Sequence, residues 1–225
     1  MGMNKKRYLC LFDIPLFSGL NKDSFQVICR AANKQSKRKG EILFYQGDTA
    51  DTIYIVKEGN FKLIRTTEDG DEAILQIVNP GEILGESALF RSSTTHPVTA
   101  MAMEESKVCS IDRNTFERVI KAESDLAWQM IESLSSRLYN TWEQLTESNT
   151  QNAREKVLSL LVRLAQEHGE ACPQGQYIKI RLTQQEIASL VGVSRVMASQ
   201  VINDLIADNY LSKEKKNYIL KTKCF

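Results

Sequence analysis

Residues 182–195, Leu-Thr-Gln-Gln-Glu-Ile-Ala-Ser-Leu-Val-Gly-Val-Ser-Arg, hold the most informative chemistry in this sequence. Thr183 and Glu186 stand three apart, the spacing of a capping box that starts a helix. Ala188 is small, as needed where two helices cross closely. Gly192 can take the left-handed conformation that turns the chain sharply, and Ser194 can cap a second helix. Ile187, Leu190, Val193, Ala198, Val201, Ile202 and Leu205 supply the buried face of a three-helix unit. This spacing is that of a helix-turn-helix. In that geometry the start of the second helix enters the DNA major groove, carrying Arg195, Val196, Ser199 and Gln200 towards bases and phosphates.

Other reactive residues are few. The five cysteines (Cys10, Cys29, Cys109, Cys172 and Cys224) are scattered with no C-x2-C pair, and there are only two histidines, His96 and His168. A dispersed, odd set of this kind predicts free thiols, most of them buried. No nucleophile–base constellation and no metal-ligand cluster stands out, so the sequence does not read as an enzyme.

The elements that must position these residues follow from periodicity. A short amphipathic helix is predicted over 23–33. Brief β-type segments then follow at 42–45, 53–56, 61–66, 73–78, 98–103 and 108–111, broken by turn signals such as Gly47-Asp48, Asp69-Gly70 and Pro80-Gly81. Short strands at this spacing predict an antiparallel barrel or sandwich. From about Asp112 the pattern turns helical. Residues 124–145 contain no Gly or Pro, and Ala127, Ile131, Leu134, Leu138, Thr141 and Leu145 recur at alternating steps of four and three. That pattern fits a coiled-coil dimer seam or one face of an ordinary amphipathic helix. Leu126 and Met130 form a second stripe suited to packing on the chain's own barrel. Helices are expected at 153–168, 183–191 and 194–208, with a two-stranded wing at 210–211 and 217–220.

Charge divides along the same line. From residue 150 onward there are 11 Lys and Arg against 7 Asp and Glu, whereas the first 149 residues carry 18 against 21. A mildly basic C-terminal part fits phosphate contact. No run of 18 apolar residues is present, and the basic stretch 1–7 leads only to a short apolar run ending at Asp13 and Pro15. The expectation is a cytoplasmic protein with no membrane partner.

The stretch 182–205 resembles the winged helix-turn-helix of the CRP/FNR superfamily, and similarity runs from about Phe17 to Ile219. Lys39-Gly40-Glu41, Gln46-Gly47-Asp48, Ile53-Tyr54-Ile55-Val56, Glu58-Gly59, Pro80-Gly81-Glu82 and Gly85-Glu86 resemble the glycines and strands of its cyclic-nucleotide-binding barrel. The resemblance implies an α+β chain: an antiparallel, jelly-roll-like β-barrel sensor domain (1–122), a dimerisation helix (123–149) and a winged helix-turn-helix DNA-binding domain (150–225). It further implies a homodimer on a palindromic double-stranded operator, RNA polymerase as a partner, and a small-molecule effector. The dimer seam would be Ala127, Ile131, Leu134, Leu138 and Leu145.

Arg195 falls where the family often places an arginine that reads guanine through O6 and N7. Thr183, Gln185 and Ser194 join the expected DNA contacts, the first two resembling family phosphate contacts. Two positions depart. Val196 replaces a common glutamate and suits a thymine methyl, and Gln200 replaces a usual arginine and suits adenine.

The effector pocket implied by resemblance comprises Gly85, Glu86, Ser87, His96, Thr141 and Trp142. It departs from cyclic AMP chemistry. His96 stands where a phosphate-binding arginine is usual, Pro97 has no N–H to offer, and Trp142 is bulky where a small hydroxyl residue is typical. Trp142 is the candidate transmitter of an effector signal. The segment from His96 to Cys109 looks closer to the FNR branch, but the N-terminal cysteines that would hold an iron–sulfur cluster are missing. Cys10 and Cys109 remain as a candidate redox pair beside the reading of two unrelated buried thiols. His96 remains as a haem-ligand candidate beside a structural one. A cyclic-nucleotide-responsive regulator is the alternative reading, and the effector itself is left open.

Overall fold

Short alternating strands build two antiparallel sheets in the first part of the chain. The computed structural model describes residues 14–17, 19–86 and 95–221. Strands β1 (Asn33–Lys37), β8 (Ser106–Asp112), β3 (Thr52–Glu58) and β6 (Ile83–Leu84) form one sheet in that spatial order. Strands β2 (Ile42–Phe44), β7 (Thr99–Ala102), β4 (Phe61–Thr66) and β5 (Glu72–Val78) form the other. The hairpin β4–β5 turns at Gly70, as Asp69-Gly70 predicts. Phe44, Val56, Phe61, Val78, Leu84, Ala100, Ala102 and Val108 from both sheets make one core between them. This is a jelly-roll-like pair of sheets rather than a closed barrel.

The outer face of the first sheet is covered by helices. Ile53, Ile55, Ile83, Cys109 and Ile111 pack with Ile28 of α1 (Lys22–Ala31), Phe116 and Val119 of α2 (Arg113–Ala122), and Leu126 and Met130 of α3 (Ser124–Thr150). Strand β8 is therefore buried on both faces, Val108 inward and Cys109 and Ile111 under the helices. Strand β1, sequence Asn-Lys-Gln-Ser-Lys, was not legible as a strand: it is a polar sheet edge that borrows its place from β8, pairing Asn33 with Ser110 through to Lys37 with Ser106. Of the three cysteines among the described residues, Cys109 is buried, Cys172 is half-buried and Cys29 is the exception to the expected burial. It is exposed, because Ile28 takes the inward position on α1.

Contacts divide the chain into two units, 1–138 and 139–225, which meet within α3. In the second, α4 (Ala153–His168) buries Val157, Leu160, Leu161 and Leu164, and starts with a capping box between Asn152 and Glu155. Helices α5 (Gln184–Val191) and α6 (Arg195–Ala207) follow. The expected two-stranded wing is part of a larger sheet. Strands β11 (Leu211–Glu214), β12 (Asn217–Lys221), β10 (Gly175–Ile178) and β9 (Gly169–Cys172) lie in that order. The β9–β10 hairpin is short and mostly half-exposed, so it lacks the alternation that marks a strand.

Candidate nucleic-acid interface and sensor site

Local capping chemistry sets the α5–α6 pair. Thr183 Oγ1 accepts from the Glu186 amide at 3.2 Å, and Glu186 Oε2 accepts from the Thr183 amide at 2.9 Å. Gly192 closes α5 at φ 69°, ψ 38°, the left-handed conformation. Ser194 Oγ accepts from the Met197 amide at 3.2 Å and starts α6. The two helices bend through 105°, within the range of a DNA-binding pair. Ile187, Ala188, Ala198, Val201, Ile202 and Leu205 are buried between them and α4, whereas Leu190 and Val193 are half-buried.

The opposite face of α6 is a concavity of about 570 Å³ lined by Gln184, Arg195, Val196, Ser199, Gln200, Asn203 and Asp204. Arg195, Val196, Ser199 and Gln200 thus come together as the spacing predicts. Val196 is 77% exposed. Gln184, Asn203 and Asp204 were missed, although steps of three and four from Ser199 and Gln200 point to the last two. The Thr183 hydroxyl is committed to the capping box, where it also donates to Glu186 Oε2 at 2.9 Å, and Gln185 is exposed outside the concavity.

Two features hold this face in place. Arg154 at the start of α4 pairs with Asp208, the C-cap of α6, at 2.6 Å, and lies 5.7 Å over the Tyr210 ring. Asn217, buried beside the turn of the wing, donates to the carbonyls of Ile178 and Lys179 at 2.9 and 3.0 Å. The wing tip carries Lys215 and Lys216, with Lys215 at φ 55°.

In the first unit, Gly85 takes φ 84° and sits so close to β3 that an added Cβ would lie 2.7 Å from the Thr52 carbonyl. Glu86 follows. Its carboxylate meets Arg137 Nη1 of α3, while Arg137 Nη2 donates to the Ile83 carbonyl at 3.1 Å and lies 3.5 Å from Glu82. Burial raises the Glu86 carboxyl above the usual carboxylate range even though Arg137 pulls it down. Arg137 was not foreseen, because nothing local links it to a turn 51 residues earlier.

His96 is 3% exposed and stacks on Phe44 at 3.7 Å, which in turn stacks on Tyr54. Burial lowers its imidazole below the usual value, with Asp48 and Asp51 opposing in part, and its Nδ1 has no hydrogen-bond partner among the described residues. A neutral, covered ring of this kind is a core element, unsuited to clamp an anion. Thr141 and Trp142 are exposed on the second half of α3. Cys109 is buried at 1% exposure. Ser87 and Cys10 lie outside the described residues.

Comparison with known proteins agrees with this architecture. Residues 34–123 match the family model of the cyclic nucleotide-binding domain, and residues 155–223 match that of the Crp-like helix-turn-helix domain. The CRP-like cAMP-activated global transcriptional regulator of Mycobacterium tuberculosis is 26% identical over 91% of this chain and 91% of its own length. The anaerobic regulatory protein of Bacillus subtilis is 22% identical over 89% and 84%. The solved structure of the c-di-GMP responsive global regulator CLP of Xanthomonas campestris aligns with a TM-score of 0.76 at 26% identity, covering 89% of this chain and 99% of that one. Two antiparallel sheets, a long helix and a helix-turn-helix in this order, matched by both family models, make the chain a member of the CRP/FNR superfamily of DNA-binding transcription regulators.

Proposed function

We propose that the protein acts in the cytoplasm as a homodimer on a palindromic operator, with a small-molecule or redox effector other than cyclic AMP gating its occupancy and RNA polymerase as its downstream partner. The observation that carries the DNA-reading part is the α6 concavity: Arg195, Ser199, Gln200 and Asn203 all present polar side chains there without a protein partner among the described residues. Arg195 suits guanine, Gln200 and Asn203 suit adenine, and Val196 suits a thymine methyl. The seam residues Ile131, Leu134, Leu138 and Leu145 support the dimer, because all four are exposed apolar side chains on one stripe of α3.

The argument against cyclic AMP rests on His96 and Arg137. His96 is neutral and covered, and Arg137 is already engaged by Glu86 and Glu82. Gating requires an effector with different affinity for two dimer states. The Glu86–Arg137 pair supplies a physical route from the sensor sheets to α3, whose seam would respond.

Selection from a random duplex library yields the operator. Arg195→Ala then costs about 1–3 kcal/mol at one base pair of each half-site. Equal loss on every sequence would refute the base-reading role. Calorimetry with cyclic AMP tests the second reading, a cyclic-nucleotide-responsive regulator, which the matched sensor domain and the M. tuberculosis relative favour. Heat of binding at micromolar concentrations that changes operator affinity would establish that second reading.

A further inference from the structure

The concavity on α6 contains a charge that works against DNA. Asp204 lines it together with Val196 and Gln200, at successive steps of four along the helix. Its carboxylate has no ion-pair or hydrogen-bond partner among the described residues. Arg195 and Asp204 are the only charged residues of the seven that line the surface, so the reading face carries no net charge. Protein surfaces that bind DNA are normally much more positive than that.

Position along the helix says what this carboxylate would meet. Asp204 lies nine residues beyond Arg195, about 13.5 Å further along the axis at 1.5 Å per residue. The major groove is about 8.5 Å deep. With the first turn of α6 at the base edges, Asp204 stands at the rim, where phosphates line the groove. Gln184, the first residue of α5, borders the same concavity from the other side. A phosphate at that rim faces the positive end of α5 on one side and a carboxylate on the other.

We infer that Asp204 acts by repulsion to set the affinity that base contacts must supply before the protein stays bound to a duplex. Its carboxylate lowers affinity for duplex DNA of any sequence, so that stable binding requires the base contacts of Arg195, Val196, Ser199 and Gln200. Backbone attraction is left to cations outside the concavity, of which Lys213, Lys215 and Lys216 are exposed on the wing. The inference rests on the reading of α6 as the helix that enters the groove.

The test measures binding of the intact protein to its selected operator and to a scrambled duplex by fluorescence anisotropy, from 50 to 400 mM salt. Two like charges about 7 Å apart in water repel by enough to change affinity about three-fold at low salt. Asp204→Asn therefore tightens scrambled-duplex binding about three-fold at 50 mM salt. The gain fades as the screening length falls towards roughly 5 Å. Asp204→Lys tightens it further and steepens the log–log salt dependence by about one. Both variants tighten operator and scrambled duplex by the same factor, so the scrambled duplex becomes occupied at protein concentrations where the wild type occupies only the operator. Thermal melts confirm folding, which an exposed side chain without partners should not disturb.

Scrambled-duplex affinities equal to wild type in both variants overturn the inference. So does a selective loss of operator affinity in Asp204→Asn, which would make Asp204 a base acceptor. Arg195→Ala is the separate control. If it leaves the operator ratio intact, or if the wild type binds no duplex, the reading of α6 fails and the inference fails with it. If Arg195→Ala abolishes the ratio while Asp204 variants change nothing, only the inference fails.

Discussion

Replacing Leu138 by alanine tests the dimer at the residue where α3 leaves the sensor unit. Leu138 is 50% exposed in the single chain, between Leu134 at 36% and Leu145 at 57%. Burying a leucine fully is worth about 1.5–3 kcal/mol, so covering the exposed half of Leu138 contributes about 0.75–1.5 kcal/mol per chain. A two-fold axis doubles this to about 1.5–3 kcal/mol per dimer. The dimer dissociation constant of Leu138→Ala should rise roughly 10- to 150-fold. Sedimentation velocity over a concentration series reads that change directly. Leu126→Ala is the contrasting variant, because Leu126 is 1% exposed inside the helix-covered core. It should lower unfolding stability by about 2–5 kcal/mol. A wild-type chain that sediments as a monomer at every concentration, or a Leu138→Ala dimer as tight as wild type, refutes the seam.

Four further outcomes follow from backbone geometry and buried charge. His96 is buried neutral, so the unfolded chain takes up its proton first as pH falls. The stability that His96 contributes is therefore intact above about pH 6.5 and is lost below it, by at most about 1.4 kcal/mol per pH unit. His96→Phe, which keeps a ring beside Phe44, should flatten that acid limb in urea titrations from pH 5 to 8, and an unchanged limb refutes the assignment. Glu86, whose carboxyl is raised, contributes with the opposite sign: the folded chain holds its proton to higher pH, so ionisation of Glu86 costs stability as pH rises. Gly192→Ala meets open space but an unfavourable φ, and should cost about 1–2 kcal/mol, whereas Gly85→Ala adds a clash with the Thr52 carbonyl and should cost more in thermal melts. Lys215→Gly at the wing tip relieves a left-handed lysine and should stabilise by about 1 kcal/mol, while equal or lower stability would show that the turn is not strained.

Legibility in the sequence tracked how local the determining physics is. The helix-turn-helix was readable almost to the residue, since Thr183, Gly192 and Ser194 each act on a partner three or four positions away. The stripe of Leu126 and Met130 was readable for the same reason, and both are buried as expected. Strand β1 was not, because an edge strand needs no apolar face and takes its register from β8. The Glu86–Arg137 pair was not, because it joins a β-turn to a helix through tertiary packing alone. His96 stood out in the sequence as a departure from the resemblance, and its stacking on Phe44 gives the ring a place in the core.

In the proposed mechanism the two faces of α3 would couple sensing to assembly through one helix. At about 100° per residue, Leu126, Met130 and Arg137 fall within about 40° of one another. Ala127, Ile131, Leu134, Leu138 and Leu145 cluster about 80° away. The inner stripe thus begins as apolar anchors in the helix-covered core and ends in a guanidinium held by Glu86, Glu82 and the Ile83 carbonyl. A helix is too stiff to rotate one stripe without the other. The turn at Gly85-Glu86 therefore sets the angle at which Leu134 and Leu138 face outward. Leu126 and Met130 make that angle costly to change near the start of the helix, where apolar burial holds it. At Arg137 the restraint is a polar one, and polar contacts can be exchanged for other polar contacts at small net cost. The end of the stripe is thus the place where a chemical signal in the sensor can act on the seam with the least opposing energy.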